Sequence, residues 1–429
     1  MKTKLGPTIF WIFSAIPILL WLIVRSGTPM FSNYSVITHS LGQLSGLVGM
    51  TMFALTFILT MRLKIVEEYF NGLDKVYQFH HLLGILSFVL ILFHPLLLVI
   101  KFIPSNIQQA ALYLLPSSSW PINFGIIALL AMILLIVLTI FAKITYKKWR
   151  ISHKFMGLVF LIACFHVFLV TTDITFYPLL KYYMILISVM GALSYLYGSF
   201  VRHELKSPFK YKLESIKSLS NNILLLKFSP LGKKINFKPG QFIFIKFLDS
   251  RVENESHPFT IASGPDNEKL TFAIKSLGDF TNQLKSLSSG AIVEIEGPYG
   301  KFGQNAKPTQ EQVWIAGGIG ITPFLSIAQS IKFNSKVDLY YFTRNKEDAI
   351  FLPILNEIAN KSNNNLKIIP YHTEEKPRLS AEIIEKISGL ANKSFLLCGP
   401  TNMMLSLESQ LKKKGVKSED IHFEDFNLK

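Results

Sequence analysis

Four histidines stand inside two apolar stretches as a repeated phrase. The first copy reads His80-His81-Leu82-Leu83-Gly84 and reaches His94 fourteen residues on. The second reads His153-Lys154-Phe155-Met156-Gly157 and reaches His166 thirteen residues on. Imidazole is a natural axial ligand for a b-type haem, one on each side of the iron. At 1.5 Å rise per helical residue each pair spans about 20 Å, roughly two-thirds of a bilayer's hydrocarbon core. Two such helices side by side could hold two haems, one above the other, as a path for electrons across a membrane. A single buried histidine is more simply a hydrogen-bond partner of a neighbouring helix. Four at matching depths are costly in lipid and point to function. The candidate metal ligands are therefore His80, His94, His153 and His166.

The spacing also sets a demand. Fourteen residues return an ideal helix to within about 40° of the same face, whereas thirteen leave about 140° of offset. The second helix must bend or be locally irregular, or the two haems must be rotated against each other. His81 competes with His80; the His-x-x-x-Gly phrase favours His80. The glycine of that phrase would let a macrocycle or a helix approach closely. His39 has no partner at haem spacing and reads as structural, or as lining a route to the outer haem.

Three further constellations lie in the second half of the chain. In His257-Pro258-Phe259-Thr260-Ile261-Ala262-Ser263, a strand could offer Phe259 to cover a flavin ring, Thr260 to its N5 edge and His257 to its pyrophosphate. Alone this could be an ordinary turn. It gains weight from Pro239-Gly240-Gln241-Phe242 before it and from Lys275-Ser276-Leu277-Gly278-Asp279-Phe280-Thr281 after it. There Gly278 would turn the chain, and Thr281 would begin a helix whose N–H groups bind phosphate. The cofactor this points to is a flavin. Next, Trp314-Ile315-Ala316-Gly317-Gly318-Ile319-Gly320-Ile321-Thr322-Pro323 follows a strand and opens a helix, the setting of a dinucleotide pyrophosphate. Gly317, Gly318, Gly320 and Thr322 are its candidates, against the plainer reading of a tight turn. Cys398-Gly399-Pro400 ends a later strand of the same sheet, where strand ends converge on one crevice and a nicotinamide could sit; a buried strand cysteine is the rival. Arg344 and Lys346 follow the intervening strand, where cations can pair with a 2′-phosphate, so NADPH is expected, with NADH possible.

The elements that position these residues follow from hydropathy. Residues 1–201 hold the long apolar runs, with six spans expected near 8–25, 35–61, 78–102, 122–142, 153–172 and 179–201. The first run, Thr8 to Val24, is longer than a signal-peptide core and lacks a small-x-small cleavage site, so it reads as a membrane helix. Alternate loops carry most of the basic residues, such as Arg62, Lys64, Lys75, Lys147, Lys148 and Arg150, which puts the N-terminus and everything after span six in the cytoplasm. Residues 210–300 alternate β-like runs with Pro/Gly turns, as in a small antiparallel barrel. From Gln312 the pattern is βαβ, with a seam near Pro308. The expected fold is an α-helical membrane domain (1–205), an FAD-binding β-barrel (206–308) and a nicotinamide-binding α/β domain (309–429).

Composition narrows the function. The net charge is +16, with about +9 of it in the first 205 residues, and no basic stripe with interleaved aromatics appears. The lysines suit cytoplasmic flanks and anionic lipid rather than nucleic acid. Two cysteines, Cys164 and Cys398, make a disulfide framework or an iron–sulfur site implausible. No calcium-binding loop and no obligatory protein partner are evident.

Taken in this order, the histidine pairs, Tyr146–His153, HPFTIAS, GGIGITP, CGP and the ending Phe423-Glu424-Asp425-Phe426 resemble the NADPH oxidase and ferric reductase superfamily over about residues 40–429. The short loops look most like a compact bacterial NADPH oxidase. The resemblance implies six helices holding two b-type haems, and a cytoplasmic ferredoxin-reductase-like module binding FAD and a nicotinamide. It implies that a C-terminal aromatic, matched here by Phe426, stacks on the flavin where the nicotinamide must enter. Phe426, Cys398 and Thr260 are thus the catalytic candidates. The implied reaction carries electrons from NADPH to dioxygen on the outer face of the plasma membrane, giving superoxide, with ferric chelates or a quinone as alternative acceptors.

Overall fold

The structure is a computed structural model that describes all residues except 1–4, 29, 31, 104–105, 143–144, 202–208, 221, 307–308, 331–332 and 425–429. The chain folds as two compact units, one of residues 1–71 and 75–205 and the other of residues 206–429 with 72–74.

The helical unit runs through α1 (Leu5–Val24), α2 (Tyr34–Leu59), α3 (Lys64–Phe70), α4 (Leu73–Ile100) and α5 (Ile107–Tyr113). It continues with α6 (Trp120–Phe141), α7 (Tyr146–Lys154), α8 (Met156–Leu169), α9 (Asp173–Phe176) and α10 (Pro178–Leu196). Among the described residues six stretches are long and apolar enough to cross a membrane, the fifth (Lys147–Leu169) made by α7 and α8 together. The protein is a multi-pass membrane protein. Helix is the form these runs must take, because lipid offers no partner to a free backbone N–H or C=O. Their starts carry local signals. Asn33 Oδ1 accepts the Val36 N–H at 3.0 Å to cap α2, and Pro121 and Pro178 sit in the first turns of α6 and α10, where an N–H is not needed. The third crossing begins at Leu73, five residues before the expected start, because the polar stretch Asp74–Gln78 is helical too.

Two irregularities fall beside histidines. Pro95 follows His94 inside α4 and withdraws one helical hydrogen bond there. The fifth crossing breaks at Phe155, two residues after His153, where α7 ends and α8 begins. A break of this kind is one of the two ways in which the thirteen-residue spacing can be met.

The second unit opens with six antiparallel strands: β1 (Phe209–Ser220), β2 (Ile223–Pro230), β3 (Phe242–Phe247), β4 (Ser256–Thr260), β5 (Leu270–Lys275) and β6 (Ile292–Tyr299). Their order is β4-β3-β6-β1-β2-β5. The two edges meet where the Ala262 N–H donates to Thr271 O at 2.8 Å, closing a barrel. A five-stranded parallel sheet follows: β7 (Gln312–Gly317), β8 (Val337–Thr343), β9 (Leu366–His372), β10 (Ser394–Cys398) and β11 (Ile421–Glu424), in the order β11-β10-β7-β8-β9. Every residue of β7 and β10 is buried, as in a sheet covered on both faces. Alternate residues sort into two cores. Trp314, Ala316, Leu339, Tyr341 and Leu396 face one side, and Val313, Ile315, Tyr340, Phe342 and Phe395 the other. The first core also contains Ala262 and Ala273 of the barrel, so the two domains share it.

Candidate functional site

The four membrane histidines come together as two facing pairs. The rings of His80 (α4) and His153 (α7) have centroids 6.4 Å apart. Those of His94 (α4) and His166 (α8) are 6.2 Å apart. An imidazole nitrogen bonds a first-row metal at about 2 Å and lies about 1 Å from its ring centre, so two axial ligands put centroids about 6 Å apart. Both pairs fit. Among the described residues no three His, Cys, Asp or Glu side chains gather as a metal site. The donor set is thus two opposed imidazoles, which suits a metal whose other positions are filled by a macrocycle.

Each ring is aimed by its other nitrogen. His80 Nδ1 donates to Thr56 O at 3.0 Å, His94 Nδ1 to Gly42 O at 2.7 Å and His166 Nδ1 to Pro121 O at 2.8 Å. A carbonyl can only accept, so Nδ1 carries the proton and Nε2 is left as the metal donor. His153 is different. Its buried Nδ1 has no hydrogen-bond partner, and its ring stacks on Trp149 at 5.4 Å and 15°. His80, not His81, faces His153.

Two glycines that the sequence did not single out make room for the rings. A Cβ on Gly46 would lie 2.6 Å from His94 Nδ1, and one on Gly125 would lie 2.7 Å from His166 Nδ1. Each glycine stands four residues after the carbonyl its histidine uses, Gly42 and Pro121, so the ring enters where a side chain would otherwise cover that carbonyl. The glycines of the repeated phrase differ from each other. A Cβ on Gly84 would meet nothing within 4 Å, while Gly157 is covered by the Tyr195 ring.

His39 lies one turn before Gly42 and lines a cavity of about 370 Å³ with Arg25, Thr28, Met30, Ser35 and Lys101. Lys101 Nζ is 3.5 Å from His39 Nδ1, and Arg25 is held by Asp173 at 2.8 Å. Just past the end of α4, burial lowers the Lys101 pKa.

In the second unit, β4 carries His257–Thr260 paired to β3, with Ile243 opposite Phe259 and Phe242 opposite Thr260. Strand alternation puts His257 and Phe259 on one face and Pro258 and Thr260 on the other. His257 stacks on Phe280 at 3.7 Å, and Phe259 also lies over Phe280 and packs on the barrel core. Phe259 and Thr260 thus lie on opposite faces of β4. Lys275 ends β5, half-buried. The helix after it begins at Asp279, not at Thr281, and Gly278 is extended rather than turned. Thr281 Oγ1 accepts the N–H groups of Leu277 (2.9 Å) and Gly278 (3.1 Å), so the hydroxyl caps this turn from within.

The glycine turn follows β7 as expected, and its glycines divide the work. Gly317 abuts Gly399, Pro400 and Met403, and Gly320 lies against the Cys398 carbonyl. The ends of β7 and β10 are thereby locked together, with Cys398 buried between them. Gly318 alone takes a left-handed φ of +55° with nothing within 4 Å of a Cβ, the position from which backbone can face a ligand. Thr322 is buried, and its hydroxyl donates to Ile319 O at 3.1 Å. The helix Thr322–Ala328 is stitched to the flavin-type motif. Ser326 Oγ donates to Ser263 O at 2.8 Å, and Gln329 Nε2 donates to Ala262 O at 3.0 Å. The two motifs therefore sit on one rigid seam. Glu424, at the end of β11 beside Cys398, is also buried, and its carboxylate would be 3.0 Å from a Cβ on Gly300 of the barrel. Phe426 lies outside the described residues.

Comparison with known proteins agrees with this division. Residues 45–164 match the family described as ferric reductase like transmembrane component, 208–303 an FAD-binding domain, and 314–408 an oxidoreductase NAD-binding domain. A superoxide-generating NADPH oxidase heavy chain of Dictyostelium discoideum is 28% identical over 39% of this chain and 38% of its own length. Ferric reduction oxidase 8, mitochondrial, of Arabidopsis thaliana is 34% identical over 34% of this chain and 23% of its own. The matched parts thus span well under half of either relative. A crystal structure of flavohemoglobin from Malassezia yamatoensis with bound FAD and heme is alike in fold, with a TM-score of 0.51 at 19% identity over 94% of this chain and 98% of that one. By its three domains and their order, the chain joins a ferric-reductase-like transmembrane domain to FAD-binding and NAD-binding domains, and the proteins it is similar to include NADPH oxidases, dual oxidases and ferric reductases.

Proposed function

We propose that the chain is a transmembrane NAD(P)H oxidase. It moves electrons from a cytoplasmic nicotinamide across the plasma membrane to dioxygen, releasing superoxide, with FAD and two b-type haems as its resident carriers. The observation that carries this reading is the double pairing of His80 with His153 and His94 with His166, at 6.4 and 6.2 Å on the same two crossings. Bound flavin supplies the conversion of a hydride into single electrons, and bound haem their relay. The chain's own residues hold and aim these groups. His80 with His153, and His94 with His166, would each hold one haem between two imidazoles, and the haem would supply one-electron relay. Gly318 and the N–H groups of its turn receive the nucleotide pyrophosphate, Gly399 and Pro400 shape the nicotinamide end beside Cys398, and Lys275, with His257 and Thr260 from opposite faces of β4, serves the flavin. The charge pattern of the loops supports a cytoplasmic N-terminus and reductase module.

A second acceptor has an observation of its own. The cavity lined by Arg25, His39 and Lys101 is cationic and larger than dioxygen needs, which favours an anionic ferric chelate. The relatives include both kinds of enzyme by name. The test is to supply the purified full chain with FAD and NADH or NADPH in air. Superoxide is then followed with a dismutase-sensitive probe beside ferric-citrate reduction. Superoxide at a rate matching nucleotide oxidation supports the oxidase. Nucleotide oxidation that depends on the chelate, without superoxide, replaces it with the reductase.

A further inference from the structure

We infer that the nucleotide crevice is built to read an adenosine ribose bearing a free 2′-hydroxyl, so that NADH is preferred over NADPH. This rests on the reading of the crevice as the dinucleotide site. In a parallel α/β sheet the pyrophosphate sits at the first glycine turn, here after β7, and the adenosine ribose lies over the end of the next strand. That strand is β8, and the corner after it holds Arg344 and Lys346, the residues a 2′-phosphate would need.

Each of those cations is already matched by a carboxylate. Arg344 Nε is 2.7 Å from Glu374 Oε1, and Lys346 Nζ is 3.3 Å from Glu375 Oε1. The match is set by backbone register rather than by a chance side-chain excursion. β8 and β9 pair in parallel with Thr343 opposite His372. The pairing continues past both strands, where the Thr373 N–H donates to Thr343 O at 3.0 Å and the Glu374 N–H to Arg344 O at 3.1 Å. The corner is pinned as well: Thr343 Oγ1 donates to Asn345 O at 2.7 Å and lies 2.9 Å from His372 Nδ1, and Asn345 Oδ1 accepts the Asp348 N–H at 3.0 Å. Lys376 is drawn over the Tyr371 ring at 5.2 Å.

The chemistry follows from these placements. Two cations facing two carboxylates leave no net attraction for a 2′-phosphate, and that group brings nearly two negative charges of its own. A carboxylate at this position accepts a hydrogen bond from a ribose hydroxyl. Arg344 bonds Glu374 through Oε1, which leaves Oε2 to accept from a ribose hydroxyl with the ion pair kept.

Calorimetric binding of NAD⁺ and NADP⁺ to the FAD-loaded full chain tests this, together with anaerobic stopped-flow reduction of its flavin by NADH and NADPH. We expect NAD⁺ to bind about tenfold more tightly than NADP⁺, the size of one good charge-assisted contact. The double variant Glu374→Gln/Glu375→Gln should lower that ratio about tenfold, mostly by gaining NADP⁺. A native ratio below about three, or a ratio that Glu374→Gln/Glu375→Gln leaves unchanged, overturns the inference. Failure of both nucleotides to bind or to reduce the flavin overturns the dinucleotide reading beneath it, a distinct result.

Discussion

The two histidine pairs reach nearly the same separation by different means. At His94 and His166 both rings donate from Nδ1 into a helix backbone, and both enter over a glycine four residues beyond the accepting carbonyl. At His80 and His153 only one ring is held that way. His80 reaches Thr56 O, while His153 leans on Trp149 and carries no partner on Nδ1, next to the break at Phe155. The first pair is fixed by hydrogen bonds into two helices. The second is fixed on one side by packing alone. Outer hydrogen bonds of this kind orient a ligand and raise its basicity, so the pairs should hold their metals with unequal rigidity.

The comparison can be broken most severely at the ligands. His94→Ala or His166→Ala should halve the haem bound per chain, and His80→Ala should remove the other half, as read by pyridine haemochrome absorbance. Loss of both haems from any one of these changes would mean that the pairs are not independent sites. Next in size are the glycines. Gly125→Val and Gly46→Val push a branched side chain to within 2.7 Å of an imidazole nitrogen, and each should lose most of the haem at the His94–His166 pair while sparing the other. Trp149→Ala should act more gently and only on the His80–His153 pair. Its haem affinity should fall about tenfold, the low end for an outer-contact change. An equal fall at both pairs would erase the distinction drawn between them. Smallest is a control in the soluble unit. Lys393 lies 2.9 Å from Glu311 and holds its carboxyl below the usual range. A depressed carboxylate stabilises above its unfolded pKa and loses that contribution as pH falls through the folded one. Glu311→Gln should therefore cost under about 1 kcal/mol at neutral pH. The cost should vanish in acid, with both haems untouched.

Much of this was legible in the chain itself, and the rest was hidden for definite reasons. The apolar runs and histidine spacing marked both pairs, and the thirteen-residue interval called for either rotated haems or an irregular helix, such as the one found at Phe155. Gly46 and Gly125 could not be read, because their role is set by a histidine on another helix. Their only trace in the chain is the four-residue interval from Gly42 and Pro121, which means nothing until the histidines are in place. β1 has no apolar run: Lys210 and Lys212 are exposed while Tyr211 and Leu213 are buried, an alternation that a search for apolar blocks passes over. The two-residue period of a strand separates Phe259 from Thr260, so neighbours in the chain that suit one flavin ring stand on opposite faces. The pairing of Arg344 with Glu374, thirty residues on, was hidden too, because only the β8–β9 register makes them neighbours.

Everything proposed for the membrane unit turns on two opposed imidazole pairs each holding one haem. The most direct test is the haem stoichiometry of the purified full chain, by pyridine haemochrome, read together with the low-temperature electron paramagnetic resonance of the oxidised form. Two b-type haems per chain are predicted, both low-spin with two histidine ligands. One haem per chain, or a high-spin signal marking an open axial position, would contradict it.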